Sequence, residues 1–157
     1  MKNIFFTLVL ISILNLISFT EGCNRKCKNY VRGVPAIGFQ YNNGAAWAIL
    51  CYNTPYGTVP GKRDGHGGVY YTFGAKEYRC GSKWKPIYGQ LYHMYDGVPD
   101  DCKPLGYQTN DKKHYYNALV MGDHGMVPGK ANMSKTMAWY PYGGKEHYVR
   151  AGFYIIC

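Results

Sequence analysis

Short aromatic and β-branched runs alternate with turn clusters along most of the chain, and helical periodicity is almost absent. Apolar runs of this length bounded by Gly, Pro and Asn mark strands joined by hairpins, so the pattern predicts an all-β domain. Strands are expected at 37–41, 46–52, 69–73 and 90–95 in the first half, then at 105–109, 115–121, 136–142 and 153–156. Asn42-Asn43-Gly44 suits a tight hairpin, because Asn and Gly tolerate the positive φ of primed turns. Pro55-Tyr56-Gly57 and Pro60-Gly61 read as further turns, 63–68 as a glycine-rich loop, and 95–104 as a connector.

The second half copies the first. Pro-Gly-Lys at 60–62 returns at 128–130, 68 residues on, and Gly-Ala-Lys-Glu at 74–77 returns as Gly-Gly-Lys-Glu at 143–146, 69 residues on. Gly38-Phe39-Gln40 matches Gly106-Tyr107-Gln108, and Gly-Val-Pro stands at 33–35 and 97–99. A repeat of this length is a supersecondary unit too small to bury its own core. Two copies, about 33–95 and 96–157, are therefore expected to form one compact domain of antiparallel strands with approximate two-fold symmetry.

The ends of the chain set the compartment. Met1-Lys2-Asn3 precedes an apolar run over 4–19, broken by Ser12, Asn15 and Ser18 and followed by Thr20-Glu21-Gly22. That is the layout of a signal peptide over 1–22, shorter and more polar than a membrane anchor. The six cysteines, Cys23, Cys27, Cys51, Cys80, Cys102 and Cys157, all follow it. In a secreted chain an even count implies three disulfides, whose pairing the sequence leaves open among 15 possibilities. Zinc-ligand spacing is not completed by a second pair, so no metal is expected.

A formal charge of +9 favours anionic partners, but the basic residues are scattered and no nucleic-acid motif accompanies them. Catalytic constellations are also missing from the sequence. Oxidised cysteines cannot act as nucleophiles, and Asp64 with His66 lies in a loop that the second repeat does not copy. His114 and His124 read as solvated loop residues. No enzyme activity and no cofactor are expected. Asn132-Met133-Ser134 is a glycosylation sequon, expected on an exposed loop.

The order and spacing of the doubled motifs resemble the DM-nine repeat family, whose tandem repeats also stand at the amino end of natterin-type proteins. The resemblance spans about 33–157 and rests on the Gly-Val-Pro, Pro-Gly-Lys and Gly-(Ala/Gly)-Lys-Glu copies. It implies two intertwined β repeats and, since several members are lectins, binding of mannose-type glycans. In those lectins the Pro-Gly-Lys lysine and an earlier acidic residue hold the sugar. Counting about 21 residues back from each lysine reaches Tyr41 and Thr109, neither of them acidic. The resemblance thus carries over Lys62 and Lys130 as cationic donors. Gln40, Tyr41, Asn42 and Asn43 stand beside the first, and Gln108, Asn110 and Asp111 beside the second.

The expectation is a secreted, disulfide-stapled lectin-like protein with two related sites. Its partners would be glycans on an extracellular or microbial surface, with anionic surfaces and a homodimer as further options and no nucleic acid. The rival is a structural or toxin-like secreted protein that adsorbs to anionic membrane or matrix through its charge.

Overall fold

The structure, a computed structural model, describes residues 36–157. The leader, Cys23 and Cys27 lie outside the described residues. In the first half the chain forms β1 (Ile37–Gln40), β2 (Gly44–Thr54), β3 (Gly57–Arg63), β4 (Val69–Phe73), β5 (Lys76–Arg79), β6 (Trp84–Pro86) and β7 (Leu91–His93). In the second it forms β8 (Gly106–Gln108), β9 (Lys113–Gly122), β10 (Gly125–Asn132), β11 (Ala138–Tyr142), β12 (Lys145–Val149) and β13 (Phe153–Ile156). The fold is all-β, two intertwined antiparallel repeats. Eight strands, ordered β2-β1-β10-β11-β12-β5-β4-β3, close into a barrel through the β2–β3 pairing. The β9–β10 pairing completes the equivalent circuit through β8.

The intertwining follows from where each repeat sends its first strand. β1 pairs with β10, setting Gln40 opposite Gly125 and Phe39 opposite Met126. β8 pairs with β3 in the same register, Gln108 opposite Gly57 and Tyr107 opposite Thr58. At the far edge Lys76 on β5 stands opposite Lys145 on β12. Each repeat therefore completes the sheet of the other.

Pro60-Gly61 and Pro128-Gly129 are not turns, contrary to the sequence expectation; they lie inside β3 and β10. A proline cannot donate to a ladder and is tolerated where an edge is unused. β3 gives one edge to β2 and divides the other between β8 at 57–58 and β4 at 61–63, and Pro60 falls in the gap. Pro128 falls in the matching gap, between β1 at 125–126 and β11 at 130–131. Gly61 and Gly129 come so close to the carbonyls of Tyr70 and Trp139 that a Cβ would not fit. The motif marks a crossing of strands.

Three apolar clusters hold this arrangement. Ile49, Cys51, Val59, Val69 and Tyr71 fill the first repeat, and Ala118, Val120, Val127, Tyr140 and Phe153 the second. Ala48, Leu50, Leu119 and Ile156 join them. β9 sits between two clusters and is buried on both faces from Tyr115 to Val120, so it reads as a continuous run and not as an alternation. Cys51 pairs with Cys80 and Cys102 with Cys157, resolving part of the connectivity and tying down the last strand.

Candidate functional site

Because β3 and β10 run straight through the crossing, the lysine that follows each Pro-Gly points inward. Lys62 is 2 % exposed. Its Nζ donates to Gln40 Oε1 at 2.6 Å and lies 3.5 Å from Glu77 Oε1. The ring centroids of Tyr70 and Tyr142 stand 5.7 and 5.2 Å away. Lys130, 4 % exposed, repeats the plan: it donates to the Thr72 carbonyl at 2.9 Å and lies 3.2 Å from Glu146 Oε1. Phe73, Tyr115 and Trp139 surround it at 5.7, 5.2 and 5.7 Å. Each ammonium takes one ring from the opposite repeat, Tyr142 for Lys62 and Phe73 for Lys130.

A buried cation is tolerated when a carboxylate and ring faces replace the water it loses. Burial still pushes the pKa of both lysines below its ordinary value. Glu77 and then Asp64 oppose that shift at Lys62, as Glu146 and then Asp111 do at Lys130.

The two glutamates face both ways. Glu77 Oε2 accepts from the Gly144 amide at 2.7 Å, and Glu146 Oε2 accepts from the Ala75 amide at 2.9 Å. Backbone bonds from Glu77 N to Gly144 O and from Glu146 N to Ala75 O, at 3.2 and 3.1 Å, complete the lacing. Each Lys-Glu pair thus fixes the hairpin turn of the other repeat. Lysine, carboxylate and turn amide form a chain that crosses between the repeats twice.

The turns after β1 and β8 cap these boxes differently. The first spans 41–43 and the second 109–112, one residue longer. Asn42 Nδ2 donates to the Tyr142 hydroxyl at 3.1 Å. In the second turn the Tyr115 hydroxyl donates to Asp111 Oδ2 at 2.7 Å, and burial together with that bond raises the phenol's pKa. The Lys130 box therefore has a second carboxylate, Asp111, bonded to one of its rings, where the Asn42 amide bonds a ring of the Lys62 box and Asp64 acts on Lys62 through its charge alone.

Two open clefts border the Lys130 box. One is lined by Gly122, Asp123, Tyr140, Glu146 and His147, the other by Lys112, His114, Tyr115 and Asn132. Tyr115 and Glu146 thus link the buried cation to the surface on two sides.

Not every residue singled out from the sequence joins a box. Gln40 and Gln108 are buried on β1 and β8, and the Nε2 of each has no partner among the described residues. Tyr41 is 69 % exposed in its turn. Among the described residues Lys62 is held by Gln40 and Glu77, not by Tyr41 or Asn43. Lys130 bonds Thr72 and not Gln108. Read as a turn, Pro-Gly would leave the lysine after it exposed; the strand crossing buries both Lys62 and Lys130 instead.

Asp64 Oδ1 accepts from the His66 and Gly68 amides, which makes it the organiser of its loop. Asn132 ends β10 half-buried, its Oδ1 taking the Thr136 and Met137 amides while its Nδ2 donates to Thr136. His124, expected to be solvated, is half-buried against Tyr142. The rings of the boxes were missed individually, although Tyr70 with Trp139 and Phe73 with Tyr142 occupy matching places in the two repeats. Among the described residues no group of three or more His, Cys, Asp or Glu side chains converges as a metal site, and no helix is long and apolar enough to cross a membrane. Comparison of the chain with protein-family models, with curated proteins and with solved structures found no match.

Proposed function

We propose that the chain is a secreted carbohydrate-binding protein of DM-nine type, with its principal site over the Lys130 box and a related site over the Lys62 box. The observation that carries this reading is the meeting of Asp111, Glu146 and Tyr115 around one buried ammonium, with open clefts on both sides. A neutral sugar presents hydroxyls that donate and accept, and ionised carboxylates make the stronger bonds to them. Asp111 and Glu146 supply the acceptors, the half-buried ring of Trp139 offers an apolar face, and Lys130 keeps the carboxylates charged. Mannose-type glycans, with adjacent hydroxyls, fit that chemistry. Secretion is supported by the leader-like amino end and by two disulfides, which persist in oxidising compartments.

Glycan-array screening followed by calorimetry with mannose tests the proposal. Asp111→Ala should weaken binding by about tenfold or more, the loss of one charge-assisted bond, while Asn42→Ala leaves the principal site intact. An empty array, or affinity unchanged in both Asp111→Ala and Lys62→Ala/Lys130→Ala, would sink it.

A second reading draws on charge. Lys76 and Lys145 are exposed directly opposite one another, an arrangement that costs stability unless an anion is present, and the chain carries +9. Adsorption to anionic membrane or matrix would weaken steeply with salt and ignore neutral sugars.

A further inference from the structure

Behind each lysine box lies a cluster of four rings, and the two clusters are built alike. In the first repeat Tyr56 stacks on Phe73 at 3.9 Å and 13°, bonds the Tyr78 hydroxyl at 3.2 Å, and Tyr78 stacks on Tyr71 at 5.5 Å. In the second, His124 stacks on Tyr142 at 3.9 Å and 25°, stands 4.5 Å from His147, and His147 stacks on Tyr140 at 5.3 Å. The correspondence runs ring by ring, Phe73 to Tyr142 and Tyr71 to Tyr140. Two positions change chemistry. The phenols of Tyr56 and Tyr78 are replaced by the imidazoles of His124 and His147, and imidazole is the side chain suited to change charge under mild acid.

We propose that the His124–His147 pair is a pH-sensitive latch on the Lys62 box, released by mild acid, while the tyrosine pair leaves the Lys130 box indifferent to the same change. Tyr142 transmits the effect, since it is stacked on His124 and is also the nearer ring to Lys62. In the neutral ring His124 Nδ1, 3.1 Å from the Tyr140 hydroxyl, can accept its proton. An imidazolium Nδ1 can only donate, so the Tyr140 oxygen must then accept and its own proton must find another partner.

The charged surroundings weigh against a second cation. His124 is faced by His147 from β12, Lys62 from β3 and the phenols of Tyr140 and Tyr142 from β11, with Asp123 beside it in its own turn. The 41–43 turn contributes the Tyr41 amide, which donates to the His124 carbonyl. Burial, His147 and Lys62 lower the His124 pKa from its ordinary value, and Asp123 opposes them. The native state thus refuses a proton that the unfolded chain accepts at about pH 6.5. Stability from this site is complete above that pH and is lost as pH falls through the lower native value.

The test needs no ligand and stands apart from the sugar reading. Thermal melts of the full chain from pH 7.5 to 5.0 should show Tm falling as the pH drops below the ordinary histidine range. His124→Tyr/His147→Tyr, which installs the residues of the first repeat, should flatten that dependence, and His66→Tyr in the exposed loop should leave it unchanged. Should the double variant fail to fold, an NMR titration of the unaltered protein decides. His124 must then titrate below the usual histidine value, with the Tyr142 ring signals moving at the same midpoint. A flat wild-type profile, a slope retained in the double variant or lost in His66→Tyr, or Tyr142 signals that ignore the His124 titration would overturn the latch.

Discussion

At the scale of single residues, Lys130 carries its charge into a place almost closed to solvent, where Glu146, the Thr72 carbonyl and three rings take over from water. Removing one member of such a pair costs more than removing both, because the survivor is left charged and buried. Lys130→Met should therefore lower unfolding free energy by about 3–5 kcal/mol in urea titrations. Adding Glu146→Gln should restore part of it, since the amide oxygen can still accept from Ala75 N. Equal losses in single and double variants would mean that the two groups do not act together. The Lys and Glu pairs are legible in the sequence as repeated letters, but their burial is not. A lysine after Pro-Gly has the local grammar of an exposed turn, and only the crossing strand, distant in sequence, reverses that reading.

At the scale of elements, the hairpins between β4 and β5 and between β11 and β12 differ at one position with a measurable cost. Gly74-Ala75 has φ of 56° and 68°, and Gly143-Gly144 has 59° and 78°, the primed geometry that glycine accepts freely. Ala75 pays a left-handed penalty that Gly144 avoids, partly offset by the greater freedom glycine loses on folding. Ala75→Gly should stabilise the protein by up to about 1 kcal/mol and Gly144→Ala should destabilise it by a similar amount, read as opposite shifts in Tm. Strands with ordinary alternation, such as β4 and β11, can be read from the chain. β3 and β10 cannot, because Pro60 and Pro128 occupy ladder gaps that exist only once β8 and β1 have crossed over. The short polar strands β5, β6 and β12 likewise owe their order to their neighbours and not to their own pattern.

At the scale of the whole molecule, the doubled sequence predicts two repeats, and the structure adds that neither is a separable half. β1 belongs to the sheet of β10, β8 to that of β3, and β7 to that of β13. The connector is exposed around Tyr95, Asp96 and Gly97. A single proteolytic cut there should leave the two fragments co-eluting in size-exclusion chromatography under native conditions, and their separation would contradict the exchange. The proposed site is less legible in the sequence than the fold, because Asp111, Tyr115, Trp139 and Glu146 lie on four different segments.

The matched register of β1 on β10 and of β8 on β3 also defines what one repeat would be by itself. Such a chain would expose the free edge of its third strand and hold the missing partner in its own first strand. It could satisfy both only by meeting an identical chain, as an obligate two-fold dimer assembled by reciprocal donation. Tandem fusion replaces that bimolecular encounter with a tether, so folding no longer depends on concentration. The two copies are then free to diverge, and His124 in the place that Tyr56 holds in the first repeat is one such divergence.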